Sequence, residues 1–298
     1  MEMSFYLFTA LEAGLPVGCV ELAGASYRLR DIGAPNEVAR LFEDWPRWSA
    51  HLQSAHLQSA RPAATPLPAG LPLLAPLLYP GKILCAGANY YDHSAEMGVQ
   101  DLRKEAQRLF FFFKPPRNAV VGPGATVRMP IATKAMDWEV ELAAVIGKRA
   151  RNVSEADALA HVAAYTVAID FSARDHNRAP ETFYKLDWVA GKGHDTCCPM
   201  GPCLVPAEAI GNAMDLGLKL SVNGVVKQNA RTSGMIFSIA EQIATLSRIM
   251  TLDPGDVILT GTPAGVGAPK GIFLAVGDRV EAEIESIGTL AVTIQPEG

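Results

Sequence analysis

Short apolar runs punctuated by glycine and proline dominate this chain, and within them apolar and polar positions tend to alternate. From residue 4 to about 34 the text SFYLF, VGCVEL and ASYRLRDI alternates with glycines between the runs, which predicts a few antiparallel strands. From Glu37 to about Ala60 helix formers take over, and HLQSA occurs twice in succession, at 51–55 and 56–60. Five residues are too short for a solenoid period, so the copy reads as a local duplication on a surface helix with two solvated histidines. Residues 62–81, PAATPLPAGLPLLAPLLYPG, are crowded with residues that withhold backbone donors and interrupt helices. A small N-terminal α/β domain over 1–75 and a larger domain over 76–298 are therefore expected.

Beyond that boundary the strand-like runs are KILCAGANY, LFFFFKPP, AVVGPGATV, WEVELAAVIG, VAAYTVAID, LKLSVNG, DVILTG and RVEAEI. Helical text intervenes only at about 154–162 and 238–250. Many strands, few helices and no regular alternation of the two predict a mixed, mainly antiparallel sheet assembly rather than a Rossmann fold. VNG at 222–224 marks a hairpin turn, and LDPGD at 252–256 a turn leading into a strand.

Composition narrows the function classes. The chain has 298 residues, 49% of them hydrophobic, so a sizeable core can be buried. A formal net charge of -5 without any basic block argues against nucleic-acid partners. No secretion signal is visible at the start, and no uncharged stretch reaches the roughly 18 to 20 apolar residues of a membrane span. Five cysteines without framework spacing suggest reduced thiols and a cytoplasmic protein. Cys197, Cys198 and Cys203 are clustered, but adjacent cysteines do not normally ligate one zinc ion together.

The sharpest chemical signal lies in the segment Asp137–Gly147. Strand side chains alternate faces, so Glu139 and Glu141 point one way while Trp138, Val140 and Leu142 point the other. Two like charges on one face of an apolar strand are costly unless they are solvated on an exposed edge or a cation lies between them. Asp170 ends a second apolar run and would complete an all-oxygen trio suited to Mg2+ or Mn2+. His93 and Glu96 stand three apart, a spacing that on a helical turn lets the carboxylate orient the imidazole. Such a pair is also common as a solvated surface feature. Arg174 and Lys192 are the basic candidates for an anionic substrate. TGTPAGVG at 260–267 offers backbone donors and the Thr262 hydroxyl for a carboxylate, but lacks the ending of a phosphate loop. The text from Tyr90 to Arg108 is charged and Gly-flanked, compatible with a mobile lid.

In their order and wording, KILCAGANYYDHSAEMG, FFFKPPRNAVVGPG, DWEVELAAVIGK, IDFSARD, GKGHDTCCPMGP and LDPGDVILTGTPAGVG together resemble the fumarylacetoacetate hydrolase family from about Lys82 onward. The resemblance implies a mixed β-sandwich roll, mainly β with α/β elements, usually as a homodimer. It implies Mg2+ or Mn2+ held by Glu139, Glu141 and Asp170, and a water-activating dyad of His93 and Glu96. Lys192 falls on the family's lysine, and Arg174, Asn177 and Thr262 on positions lining its substrate pocket. The implied substrate is a small 2-oxo acid. Hydrolysis of an acylpyruvate such as fumarylpyruvate or maleylpyruvate, in aromatic-compound degradation, is the expected reaction. Decarboxylation, isomerisation or hydration of a 2-oxo acid, for example oxaloacetate decarboxylation, is the alternative, and a non-catalytic binding protein the third. One departure stands out: HNRAPETFYKLDW at 176–188 is unlike most members' wording and leads into the lysine loop.

Overall fold

The N-terminal alternation forms an antiparallel meander of Phe5–Glu12, Leu15–Leu22 and Ala25–Arg28. It is seen in a computed structural model that describes residues 5–57, 64–100 and 102–297. The helix Trp45–Leu57 lies on this meander and buries Trp45 and Leu52 beside Phe5, Leu7 and Phe42. That docking corrects one expectation. His51 is not solvated but half-buried, its Nε2 2.8 Å from the Ile32 carbonyl, because its turn of the helix faces the chain leaving the meander. The side chain of His56 and most of the second HLQSA copy lie outside the described residues.

Among the described residues the largest sheet holds eleven strands. Near its centre, Val140–Ile146 runs antiparallel to Val162–Ile169 on one side and to Val257–Leu259 on the other. Every residue of the two longer strands is buried, as expected where both faces of a sheet are covered. The sheet continues through Ile83–Gly87 to Phe110–Lys114. In the other direction it passes through Cys198–Pro206 and reaches the meander where Leu7 stands opposite Leu204.

A five-stranded sheet of Thr126–Arg128, Gly217–Val222, Val225–Arg231, Arg279–Ile284 and Gly288–Gln295 covers one face. Val140, Leu142, Val167 and Ile169 there share a core with Leu218, Leu220, Val280, Leu290 and Val292. On the opposite face Ala143, Val145 and Ala168 pack in the same cluster as Leu7, Phe42 and Trp45. The result is the mixed, mainly antiparallel sheet assembly with few helices that the strand text predicts, in the β-sandwich form that the resemblance implies. The helix Ile239–Ile249 starts at a reciprocal cap between Ser238 and Glu241 and buries Ile239, Ile243 and Leu246.

One predicted strand is divided, and one strand forms where none is predicted. AVVGPGATV is not one strand: its glycine turn separates Val120–Val121 from Thr126–Arg128, which join different sheets. CPMGPCLVP, rich in turn formers, is a strand, Cys198–Pro206, with an irregular register against Val162–Ile169. Cys197 and Cys198 enter different hydrophobic clusters, on opposite faces, so they cannot share an ion. Burial pushes both thiols up to about 12. No helix among the described residues is long and apolar enough to cross a membrane.

Candidate active site

Period-two alternation places Glu139 and Glu141 together, and Asp170 follows the end of the neighbouring strand, its amide donating to the Glu139 carbonyl at 2.9 Å. All three side chains are buried, and one carboxylate oxygen from each lies within 4.8 Å of the others. Glutamates on an exposed edge strand, the alternative reading of this segment, would be solvated, whereas Glu139 is 5% and Glu141 2% exposed.

The surrounding cations explain how a compact site tolerates this charge. Lys192 Nζ lies 2.6 Å from Glu139 Oε2 and 2.7 Å from Asp170 Oδ2. Arg174 reaches Glu139 Oε1 at 2.5 Å and Asp137 Oδ2 at 3.0 Å. Lys192 ends the short helix Trp188–Lys192, capped by Asp187, whose carboxylate accepts from the Ala190 amide at 2.9 Å. Gly191 is required there because a Cβ would come within 2.5 Å of the Asn177 Cβ.

Burial alone would raise the pKa of Glu139, but Lys192 and then Arg174 outweigh it and hold this carboxyl below its usual range. Glu141 is driven the other way, well above the carboxylate range, by burial and by the charges of Asp170 and Glu139. The charge of Lys192 and, after it, the Gly261 amide, 2.5 Å from Oε2, compensate only in part.

Do these residues fit a divalent cation? The donor set is entirely oxygen, which suits a hard ion. Asp170 Oδ1 is buried and accepts no hydrogen bond, although Lys114 Nζ stands 2.6 Å away as an ion pair. A carboxylate oxygen with acceptor capacity to spare, beside a carboxyl whose charged form burial and its neighbours disfavour, is what a cation would resolve. The trio fits. Because its surroundings push the Glu141 carboxyl up, cation affinity is expected to rise with pH as that carboxyl gives up its proton. Mn2+ titration calorimetry across a pH series measures that rise; an affinity independent of pH would count against a raised Glu141.

His93 and Glu96 occupy the short helix Tyr91–Glu96. His93 is 7% exposed, its Nδ1 2.8 Å from Glu96 Oε1, so the pair is not a solvated surface feature. Glu96 Oε2 accepts from the Gly265 amide at 2.9 Å. Burial raises the Glu96 pKa, but the hydrogen bonds from His93 and Gly265 hold it below its ordinary value.

The segment 260–267 supplies donors as predicted, but to different recipients. Gly261, Gly265 and Gly267 give their amides to Glu141, Glu96 and Asp137, the protein's own carboxylates. Gly261 adopts φ +101°, close against Asn89, which a side chain would not permit. The Thr262 hydroxyl donates to the Val140 carbonyl at 2.9 Å and accepts from Gln228 at 2.8 Å, so its proton is already engaged.

One cavity of about 550 Å3 gathers these groups, a size suited to a small ligand. Its lining includes His93, Glu139, Glu141, Arg174, Asn177, Lys192 and Thr262. Met97 and Val99 line it from the segment expected to be lid-like, which Lys104 fastens to Glu241 at 2.6 Å. Two residues in the surround escaped the sequence reading. Asp137 accepts from Trp138, Gly267 and Ala268 and pairs with Arg174. Lys114 is fully buried, donates to the carbonyls of Phe171 (2.9 Å) and Lys192 (2.8 Å), and pairs with Asp170. Its signal was its parity with Phe112, which also faces inward.

Residues 82–295 match the profile of the fumarylacetoacetate (FAA) hydrolase C-terminal family. The chain belongs to the fumarylacetoacetate hydrolase family. A mitochondrial oxaloacetate tautomerase of Xenopus laevis is 43% identical over 221 residues, 74% of this chain and 67% of the relative. A fumarylacetoacetate hydrolase structure from Exiguobacterium antarcticum is 30% identical, with a TM-score of 0.81 over 99% of this chain and 100% of that one. A fumarylpyruvate hydrolase from Pseudomonas aeruginosa, solved with Mn2+ and pyruvate, is 32% identical, with a TM-score of 0.66 over 77% of this chain and 93% of the other.

Proposed function

We propose that this family member is a divalent-cation-dependent enzyme that moves a proton at the carbon beside the carbonyl of a small 2-oxo acid of the oxaloacetate kind. The observation that supports it most is a carboxylate-braced imidazole opening on the same cavity as Glu139 and Glu141, whose carboxylates converge with that of Asp170. In this reading Glu139, Glu141 and Asp170 hold Mg2+ or Mn2+, which when bound polarises the 2-oxo group as a Lewis acid. Glu96 fixes the His93 tautomer through Nδ1 and leaves Nε2 as the atom that takes or returns the proton. Lys192 and Arg174 offset the negative charge of the carboxylates and orient the substrate's anionic end. Asn177 and Thr262 shape the wall. The 43% identity to an oxaloacetate tautomerase adds weight to this substrate class.

Acylpyruvate hydrolysis, toward which the sequence leans, keeps a specific support: the dyad is complete, and a 32% identical structure with Mn2+ and pyruvate comes from a fumarylpyruvate hydrolase. There His93 would take its proton from water rather than from carbon. One experiment separates the two. The Mn2+-loaded enzyme is given oxaloacetate, followed by enol absorbance, and in parallel fumarylpyruvate and maleylpyruvate, followed by pyruvate release. Accelerated keto–enol exchange without carbon–carbon cleavage is the expected result; pyruvate from the acylpyruvates with no such exchange would replace tautomerisation by hydrolysis.

A further inference from the structure

The segment leading into the lysine helix folds into a self-braced excursion at the cavity mouth. The Ala179 amide donates to the Lys185 carbonyl at 3.1 Å and the Asp187 amide to the Asn177 carbonyl at 2.9 Å. Asn177 Nδ2 returns a bond to the Asp187 carbonyl at 3.1 Å, and Lys185 Nζ caps the Pro180 carbonyl at 2.7 Å. At the base of this excursion Arg178 and Leu186 stand opposite each other in an antiparallel bridge. Paired residues of such a bridge project to one side, and both line the cavity.

Among the described residues three lysine and arginine side chains line that cavity: Arg174, Arg178 and Lys192. Two are committed to the protein's own carboxylates, Arg174 to Asp137 and Glu139, Lys192 to Glu139 and Asp170. Arg178 is exposed and, among the described residues, makes no side-chain hydrogen bond or ion pair. Phe112, Leu186 and Trp188 make part of the same lining apolar, with the Phe112 and Trp188 rings stacked at 5.2 Å, and the Asp175 carboxylate is engaged by Thr133 and the Lys134 amide. The apolar side chains offer the guanidinium no acceptor. An anion entering the cavity does.

We propose that Arg178 binds the distal carboxylate of the substrate and makes the cavity selective for 2-oxo dicarboxylic acids over monocarboxylic ones of equal length. The inference rests on the proposed function, in which the 2-oxo acid end is held at the acidic trio. A guanidinium fork matches a carboxylate in two parallel hydrogen bonds. A methyl group in the same place makes neither bond. A charge-assisted contact of this kind corresponds to a preference of about tenfold to hundredfold.

The test uses the Mn2+-loaded protein and two unreactive probes that differ only in that distal group, malate and 2-hydroxybutanoate, with affinities measured by calorimetry. The parent is expected to favour malate by about tenfold to hundredfold. Arg178→Gln is expected to bring the ratio close to one, and Arg178→Lys to keep part of it. For oxaloacetate, KM should rise in Arg178→Gln with kcat nearly unchanged. An unchanged ratio in Arg178→Gln, or equal weakening of both probes, overturns the role of Arg178 while leaving the site's reading intact. A parent protein that binds neither probe and turns over no 2-oxo acid overturns the proposed function, and this inference with it.

Discussion

Replacing His93 with alanine is expected to lower turnover of the 2-oxo acid by about 10² to 10⁴ while leaving Mn2+ affinity intact. The two effects separate because His93 is not one of the three residues whose oxygens converge, yet lines the same cavity. One ring nitrogen is fixed on Glu96, and Glu96 in turn on the Gly265 amide, so the imidazole is held in one orientation before substrate arrives. Glu96→Gln keeps a hydrogen-bonding partner but removes the charge, and should fall between the parent and His93→Ala. Steady-state kinetics with parallel Mn2+ calorimetry provide the check. Full turnover in His93→Ala would remove the imidazole from the chemistry, and a lost Mn2+ site would show that the substitution acts through the carboxylates instead.

Lys114→Met is expected to destabilise the fold by about 3 to 5 kcal/mol. The ammonium is fully buried, and its removal strands three acceptors at once: Asp170 Oδ1 and the carbonyls of Phe171 and Lys192. A methionine fills the space but satisfies none of them, and an acceptor left unpaired in the interior keeps the cost of its lost hydration. Urea denaturation of the metal-free protein measures the difference. A loss under about 1 kcal/mol, the range of a solvated pair, would mean that water reaches Lys114. Lys114 joins the residue after one strand to the last residue of the lysine helix, so Asp170 and Lys192 should lose their mutual alignment together.

Much of this site is legible in the sequence because it rests on local periodicities. Alternation alone sets Glu139 and Glu141 on one face, and a helical turn brings His93 to Glu96. The structure supplies what periodicity cannot, namely which groups satisfy which. The glycines of 260–267 announce free amides, but nothing local says that these amides meet Glu141, Glu96 and Asp137, from segments over a hundred residues away in the chain. Lys114 sits in a run of phenylalanines, where a lysine reads as the polar end of a strand rather than as a buried charge. Cys198–Pro206 is hidden for the opposite reason: its prolines and glycine carry turn propensity, and pairing to strands distant in sequence overrides it.

The wiring of the glycine-rich segment 260–267 has a consequence for redesign. Since three of its amides each steady a different acid, a substitution there disturbs the dyad, the cation ligands and the Arg174 anchor in one stroke. The excursion 177–187 is built the other way, its bonds largely internal, with Arg178 and Leu186 lining the cavity. A laboratory library meant to retarget this enzyme should therefore hold the former constant and randomise the latter, where new selectivity can arise without dismantling the reaction centre.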